Sequence, residues 1–263
     1  MLVLLHGSNA SGPEMEPLAR LLRPHFELRA PNLLGHGGRP VPDGYSLEEM
    51  SDDLVAWLDS ERIGRCDLFG YSVGGYVALH AALRHPDRFR AFATLAAKYV
   101  FDESAVKHVV HLSQPERLAR AEIGRKAEME LAHGAGNWEK VALNTCELFR
   151  RLGERQPFGE EDLKRINVPA LIVSGDRDPL VSAAESRRLA ELLPFARLAL
   201  FPGAAHPLKQ VPLDQVVRAF RSFVSEVESG TFRPGPAIDL TRGLVGGGLP
   251  GAPARISIRR KRS

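Results

Sequence analysis

Cysteine is almost missing from this chain: two of 263 residues, Cys66 and Cys146. Two isolated thiols make neither a disulfide framework nor a metal-binding motif, and they point to a reducing cytoplasm. Long apolar runs are missing too. No stretch reaches the roughly 20 residues that cross a bilayer, so no membrane partner is expected. The apolar opening Met1-Leu2-Val3-Leu4-Leu5 has no basic flank and runs directly into His6-Gly7, which is not the layout of a secretory signal. A basic body is also lacking, although the net charge is +3. Residues 229–263 hold seven basic residues and one acid, Asp239, so they carry +6 and leave about −3 on residues 1–228. The high pI belongs to the tail, and composition offers no nucleic-acid-binding face on the body.

What is present is a core. Hydrophobic content of 44% and charged content of 25% suit one large α/β domain. The stretch around which it is organised is Gly70-Tyr71-Ser72-Val73-Gly74-Gly75, which contains Gly-x-Ser-x-Gly. Cys66-Asp67-Leu68-Phe69 before it reads as a short buried strand, and residues 76–83 after it as a helix rich in small residues. In a strand–serine–helix turn the chain reverses sharply and the serine stands at the apex, its hydroxyl clear of the sheet. Glycines flank it because side chains would collide there.

The rest of the chain alternates. A strand at residues 2–5 leads into the glycine-rich loop His6-Gly7-Ser8-Asn9, then a helix over 14–23 and a strand over 26–30. A second loop, Asn32-Leu33-Leu34-Gly35-His36-Gly37, precedes a helix over 46–60. Ser46 and Glu49 form a capping box for that helix, and Leu47, Met50, Leu54, Trp57 and Leu58 line one face. A strand at 89–95 follows the elbow helix. Residues 97–166 break the rhythm. They predict helices over 103–111, 115–132, 137–152 and near 160–165 with no strand, as an inserted cap would. Strands return at 169–174 and 197–201, separated by a helix that a second capping box, Ser182 and Glu185, opens. A helix over 213–227 closes the body. From Ser229 on, seven glycines and four prolines in 35 residues imply a disordered tail. The expected organisation is an α/β core of residues 1–96 and 167–228, a helical cap of 97–166, and a tail of 229–263.

Alternating strands and helices predict a parallel sheet covered on both faces, and parallel strands bring their carboxyl ends to one edge. Ser72, Asp178 and His206 each lie just past such an end. Serine is a poor nucleophile until a base takes its proton, and the base needs a carboxylate to fix its tautomer. Asp176 competes with Asp178 for that last role. The chain order Ser, Asp, His is that of the α/β-hydrolase fold.

At this point the sequence resembles the α/β-hydrolase superfamily, in its small, cap-bearing bacterial esterase-like branch. The resemblance rests on Leu4-Leu5-His6-Gly7, Asn32-Leu33-Leu34-Gly35-His36-Gly37, Gly70-Tyr71-Ser72-Val73-Gly74-Gly75, Gly175-Asp176-Arg177-Asp178 and Gly203-Ala204-Ala205-His206, and covers residues 1 to about 227. Family members commonly carry one or two strands ahead of the His-Gly strand. Here the resemblance implies about six strands, with the Phe26 strand at an edge. It implies Ser72 as nucleophile, His206 as base, Asp178 as acid with Asp176 as a turn carboxylate, and an oxyanion hole from the N–H groups of Ser8 and Val73. His6, His80 and His85 are expected to be structural. His36, Lys98 and Tyr99 are candidates for contact with substrate, Lys98 toward an anionic one. The implied activity is cofactor-free and metal-free hydrolysis of a small carboxylic ester or related acyl substrate. Serine at position 72 argues against dehalogenase and epoxide hydrolase chemistry, which uses aspartate there. Thioesterase, carbon–carbon bond hydrolase, acyltransferase and a slowly turning-over ligand receptor share the same triad and stay open.

Overall fold

The structure, a computed structural model, describes residues 1–121, 125–235 and 238–239. Strand β1 (Leu2–Leu5) is followed by helix α1 (Glu16–Leu22), β2 (Leu28–Arg29), α2 (Leu47–Ser60), β3 (Cys66–Tyr71), α3 (Val73–Arg84) and β4 (Phe89–Leu95). Five helices come next: α4 (Glu103–Ser113), α5 (Pro115–Ala121), α6 (Arg125–His133), α7 (Trp138–Glu154) and α8 (Glu160–Lys164). Then come β5 (Ala170–Gly175), α9 (Ala183–Leu192), β6 (Ala196–Phe201), α10 (Leu213–Glu228) and β7 (Ile238–Asp239). The sheet order is β2-β1-β3-β4-β5-β6-β7, and every neighbouring pair is parallel.

Every residue of β1, β3 and β5 is buried, as a parallel sheet packed on both faces requires. Leu18 and Leu22 of α1 and Phe220 and Phe223 of α10 fill one face. Leu54 of α2, Val77 of α3 and Leu189 of α9 fill the other. The Ser46–Glu49 capping box forms in both directions, at 2.7 and 3.1 Å.

Three expectations are revised. The Phe26 strand shrinks to Leu28–Arg29, because Phe26 turns its ring onto Phe220, 5.6 Å away, in the core. The single helix expected over 115–132 is two, α5 and α6. Leu118 and Met129 pack in one cluster with Trp138 and Ala142, whereas eleven residues of straight helix would set them about 16 Å apart. The start of the tail is also held to the body. Phe232 packs edge-on to Phe223 at 5.3 Å, the Arg197 guanidinium stacks 4.8 Å over its ring, and β7 pairs with β6. Residues 236–237 and 240–263, where disorder is also expected, lie outside the described residues. Among the described residues no helix is long and apolar enough to cross a membrane.

Candidate active site

The elbow forms where β3 ends. Ser72 sits at φ 52° and ψ −119°, a left-handed conformation that costs an ordinary residue energy. Its backbone N–H donates to the Leu95 carbonyl at 2.8 Å, which ties the apex to β4. A Cβ at Gly70 would collide with the Gly74 carbonyl, and one at Gly74 with the Leu5 carbonyl. The two glycines therefore let the start of α3 pass between its own strand and the end of β1.

Around that apex three side chains meet in a line. His206 Nε2 lies 3.1 Å from Ser72 Oγ, and His206 Nδ1 lies 2.8 Å from Asp178 Oδ2. The Asp178 carboxylate is fully buried. Its other oxygen accepts the backbone N–H groups of Leu180 and Val181 at 2.8 and 3.0 Å, so it is fixed independently of the histidine. Asp176 is turned elsewhere and accepts the Gly203 N–H at 2.6 Å, closing the turn that leads to His206. The N–H groups of Ser8 and Val73 have no partner among the described residues, and both residues line the same cavity as Ser72 and His206. Val73 N–H is the first of α3, where the helix dipole favours negative charge.

The cavity has a volume of about 260 Å³. It is lined by Gly7, Ser8, Ser72 and His206, by Lys98 and Phe101, and by side chains of α3, α4, α5 and α7. Neither cysteine competes as a nucleophile: both are buried, and burial pushes the Cys66 thiol up to about 12. No group of three or more His, Cys, Asp or Glu side chains among the described residues could hold a metal ion.

The architecture and these motifs have known counterparts. A profile of the alpha/beta hydrolase family matches residues 2–220. The chain belongs to the alpha/beta hydrolase family. Its relatives in that family include RutD of Pseudomonas savastanoi pv. phaseolicola, 32% identical over 224 residues, which cover 78% of this chain and 86% of that protein. Another is the pimeloyl-[acyl-carrier protein] methyl ester esterase of Neisseria meningitidis serogroup C, 27% identical over 250 residues, 85% and 93% of the two chains. Among solved structures, the enol-lactonase from Burkholderia xenovorans LB400 superposes with a TM-score of 0.71 at 22% identity, covering 86% of this chain and 91% of that one. At that identity the likeness speaks for the fold.

In this alpha/beta hydrolase His36 and Tyr99 lie away from the cavity and Lys98 is paired, while His6, His80 and His85 have structural partners. His36 is buried and does not line the cavity. It lies between His6 (5.2 Å, tilted) and His133 of α6 (5.7 Å, edge-on), and its Nδ1 donates to the Leu34 carbonyl at 2.8 Å. Burial pulls His6 down to about 3 and His36 to about 4, so both are neutral. His6 accepts the Leu33 N–H on Nε2 and donates from Nδ1 to the Gly7 carbonyl, which makes it a loop brace. His80 pairs with Ser51 at 2.7 Å and His85 with Asp52 at 3.0 Å. Lys98 does line the cavity, but its ammonium is held 2.8 Å from the Glu185 carboxylate, with both side chains largely buried. Tyr99 is buried outside the cavity wall, and its N–H also goes to Glu185 at 3.0 Å. Glu185 thus forms half of the expected capping box: Ser182 Oγ accepts its N–H at 3.1 Å, while its carboxylate is spent on Lys98, Tyr99 and Val100.

Two contributors escaped the sequence reading. Tyr71 donates from its hydroxyl to the His206 carbonyl at 2.9 Å, with the two rings 5.7 Å apart. Glu14 accepts the Gly7 N–H at 2.9 Å and so braces the turn that carries Ser8. The position of Tyr71 inside Gly-x-Ser was the available signal for the first. For Glu14 the sequence carries none.

Proposed function

We propose that the protein is a serine hydrolase that cleaves a small carboxylic ester through an acyl-enzyme. The observation that supports it most directly is the run of contacts from Ser72 through His206 to buried Asp178, at 3.1 and 2.8 Å. Asp178 holds the Nδ1 proton of His206, which leaves Nε2 free to accept the Ser72 proton as Oγ attacks the ester carbonyl. The developing oxyanion lies against the N–H groups of Ser8 and Val73. His206 then gives its proton to the leaving oxygen, the alcohol departs, and the acyl group stays on Ser72. Water enters, His206 takes one of its protons, and hydroxide attack frees the carboxylic acid and returns the proton to Ser72. Tyr71 keeps the loop of His206 in place from the elbow side. The helices between β4 and β5 act as a cap that shapes the acyl site. The two free thiols agree with a cytoplasmic setting.

That the N. meningitidis relative is named a methyl ester esterase supports an ester substrate. The test is a fluorophosphonate probe with a panel of p-nitrophenyl esters, applied to the wild type and to Ser72→Ala. Covalent labelling and hydrolysis are expected, with a loss of at least about 10⁴-fold in Ser72→Ala. Absence of both in the folded wild-type protein would refute the reading and leave ligand binding without turnover.

A further inference from the structure

We propose that the cavity is an acyl chamber for a neutral, unbranched aliphatic chain of about six carbons, a claim that rests on the serine-hydrolase reading of the same site. Three observations carry it. The first is shape. Beyond Ser72 the wall runs through Tyr76, Phe101 and Phe149, whose rings follow one another at 5.4 and 5.8 Å, with the last pair stacked. Val109, Leu112 and Leu118 form further wall of the same cavity. An apolar wall of aromatic and aliphatic side chains suits a methylene chain.

The second is volume. About 260 Å³, at roughly the 30 Å³ that liquid packing gives a water-sized group, holds about eight or nine such groups. With two ester oxygens placed at Ser72 and His206 and the first carbon of the alcohol in the same cavity, about six carbons remain. A long lipid chain exceeds the cavity and a two-carbon acyl group leaves most of it unfilled.

The third is charge. Lys98 is the lysine of the cavity wall, and its ammonium is already matched by Glu185 at 2.8 Å. Glu14 belongs to the catalytic end, where it holds the Gly7 N–H. Apart from Lys98, the wall residues that the helical insertion supplies are apolar save for Ser113, and α3 adds the Tyr76 hydroxyl. Two hydroxyls do not offset the desolvation of a carboxylate. The chamber therefore rejects a chain that ends in a carboxylate. The chain direction follows from proton delivery. His206 must reach the leaving oxygen, so the alcohol lies on its side, beside Pro207, Leu180 and Val181, and the acyl chain extends toward Tyr76 and the insertion.

The experiment has a kinetic arm and a binding arm. The kinetic arm measures kcat/KM for p-nitrophenyl acetate, butyrate, hexanoate, octanoate and laurate, and for the p-nitrophenyl half-ester of adipic acid. The binding arm titrates Ser72→Ala calorimetrically with methyl acetate, methyl hexanoate and monomethyl adipate. Each buried methylene is worth about fourfold, so hexanoate or octanoate is expected to exceed acetate by at least about tenfold. Laurate should fall about fivefold below the maximum, and the adipate half-ester about tenfold below hexanoate. Binding should follow the same order. Leu112→Trp, which fills the chamber, should lower the hexanoate-to-acetate ratio about tenfold. An optimum at acetate or butyrate, laurate equal to hexanoate, adipate equal to or above hexanoate, or an unchanged ratio in a folded Leu112→Trp would each overturn the chamber. Ser72-dependent turnover without the chain-length order removes the chamber and keeps the hydrolase reading. The binding order without turnover does the reverse.

Discussion

The carboxyl edge of the sheet and the helical insertion above it follow different rules. At the sheet edge each functional group is placed by backbone. Ser72 is pinned to Leu95, Asp178 accepts two N–H groups, and the His206 carbonyl is held by Tyr71. In the insertion the outer surface is open: Leu131 of α6 is 89% exposed and Leu143 of α7 is 57% exposed. The inward side of these helices is held by the cluster around Trp138, by the core cluster that takes in Leu148 and Leu152, and by bonds such as Tyr45 to Thr145. The insertion is fastened at its entrance by Glu185, and where it leaves α7 the Gln156 amide bonds both the N–H and the carbonyl of Phe101, at 3.1 and 2.7 Å. The contrast separates two tasks. On the proposed reading, rigid strand ends hold the groups that react, while the helices of the insertion set what they react with.

The largest effect that would sharpen this division is at the acid. Asp178→Asn is expected to lower kcat by about 10⁴-fold, because the amide favours the wrong imidazole tautomer. Asp176→Asn, which changes only a turn contact to Gly203, should cost less than about tenfold. Measured on one ester, the reverse ranking would move the acid to Asp176 and break the geometric account.

A second test compares the joint between the two regions with the sheet interior. His6, His36 and His80 are drawn down to about 3, 4 and 4, mainly by burial, whereas in the unfolded chain they titrate near 6.5. Below pH 6.5 the unfolded chain therefore binds protons that the folded one refuses. Stability is complete above that pH and falls as the pH drops toward 4, by up to about 1.4 kcal/mol per pH unit for each histidine. Thermal melts from pH 7.5 to 4.5 should show the decline. His36→Gln should remove about a third of the slope. Melting temperatures that stay level across this range would contradict the burial of neutral imidazoles beneath the insertion.

The smallest expected effect is at the fastening of the insertion. Glu185→Gln leaves the buried Lys98 ammonium without its counter-charge, and the entrance to the insertion loosens. KM for a hexanoyl ester is expected to rise about threefold to tenfold with kcat changed less than about twofold. A fall in kcat without a change in KM would place Glu185 in the service of the reacting groups instead.

Much of the sheet edge could be read from the chain because its determinants are local. Gly70, Ser72 and Gly74 form one turn, Asp178 and His206 each follow a strand by a few residues, and parallel strands gather those ends without further information. The wall of the cavity could not be read this way. Lys98 looked available to substrate because its partner, Glu185, lies 87 residues away and looked committed to a helix cap. His36 looked like a pocket residue because nothing local announces that His133 of the insertion packs over it. The break between α5 and α6 depends on where Trp138 sits, which is a question of tertiary packing. Phe232 and β7 were hidden by the glycine and proline content of the tail around them.

Of the four non-glycine residues with positive φ among the described residues, three, Asn9, Ser72 and Ala96, line the cavity. Each such conformation costs on the order of 1–3 kcal/mol, and a whole domain is stable by only about 5–15 kcal/mol. The mouth of the site is thus an uphill stretch of backbone that the surrounding sheet forces into shape. That sets a limit on adaptation: substitutions that weaken the packing of β3 and β4 draw on the same margin that keeps Ser72 at its apex. A chain with a more stable sheet could accept more change in its insertion, and so more change in what it binds, before the elbow relaxes.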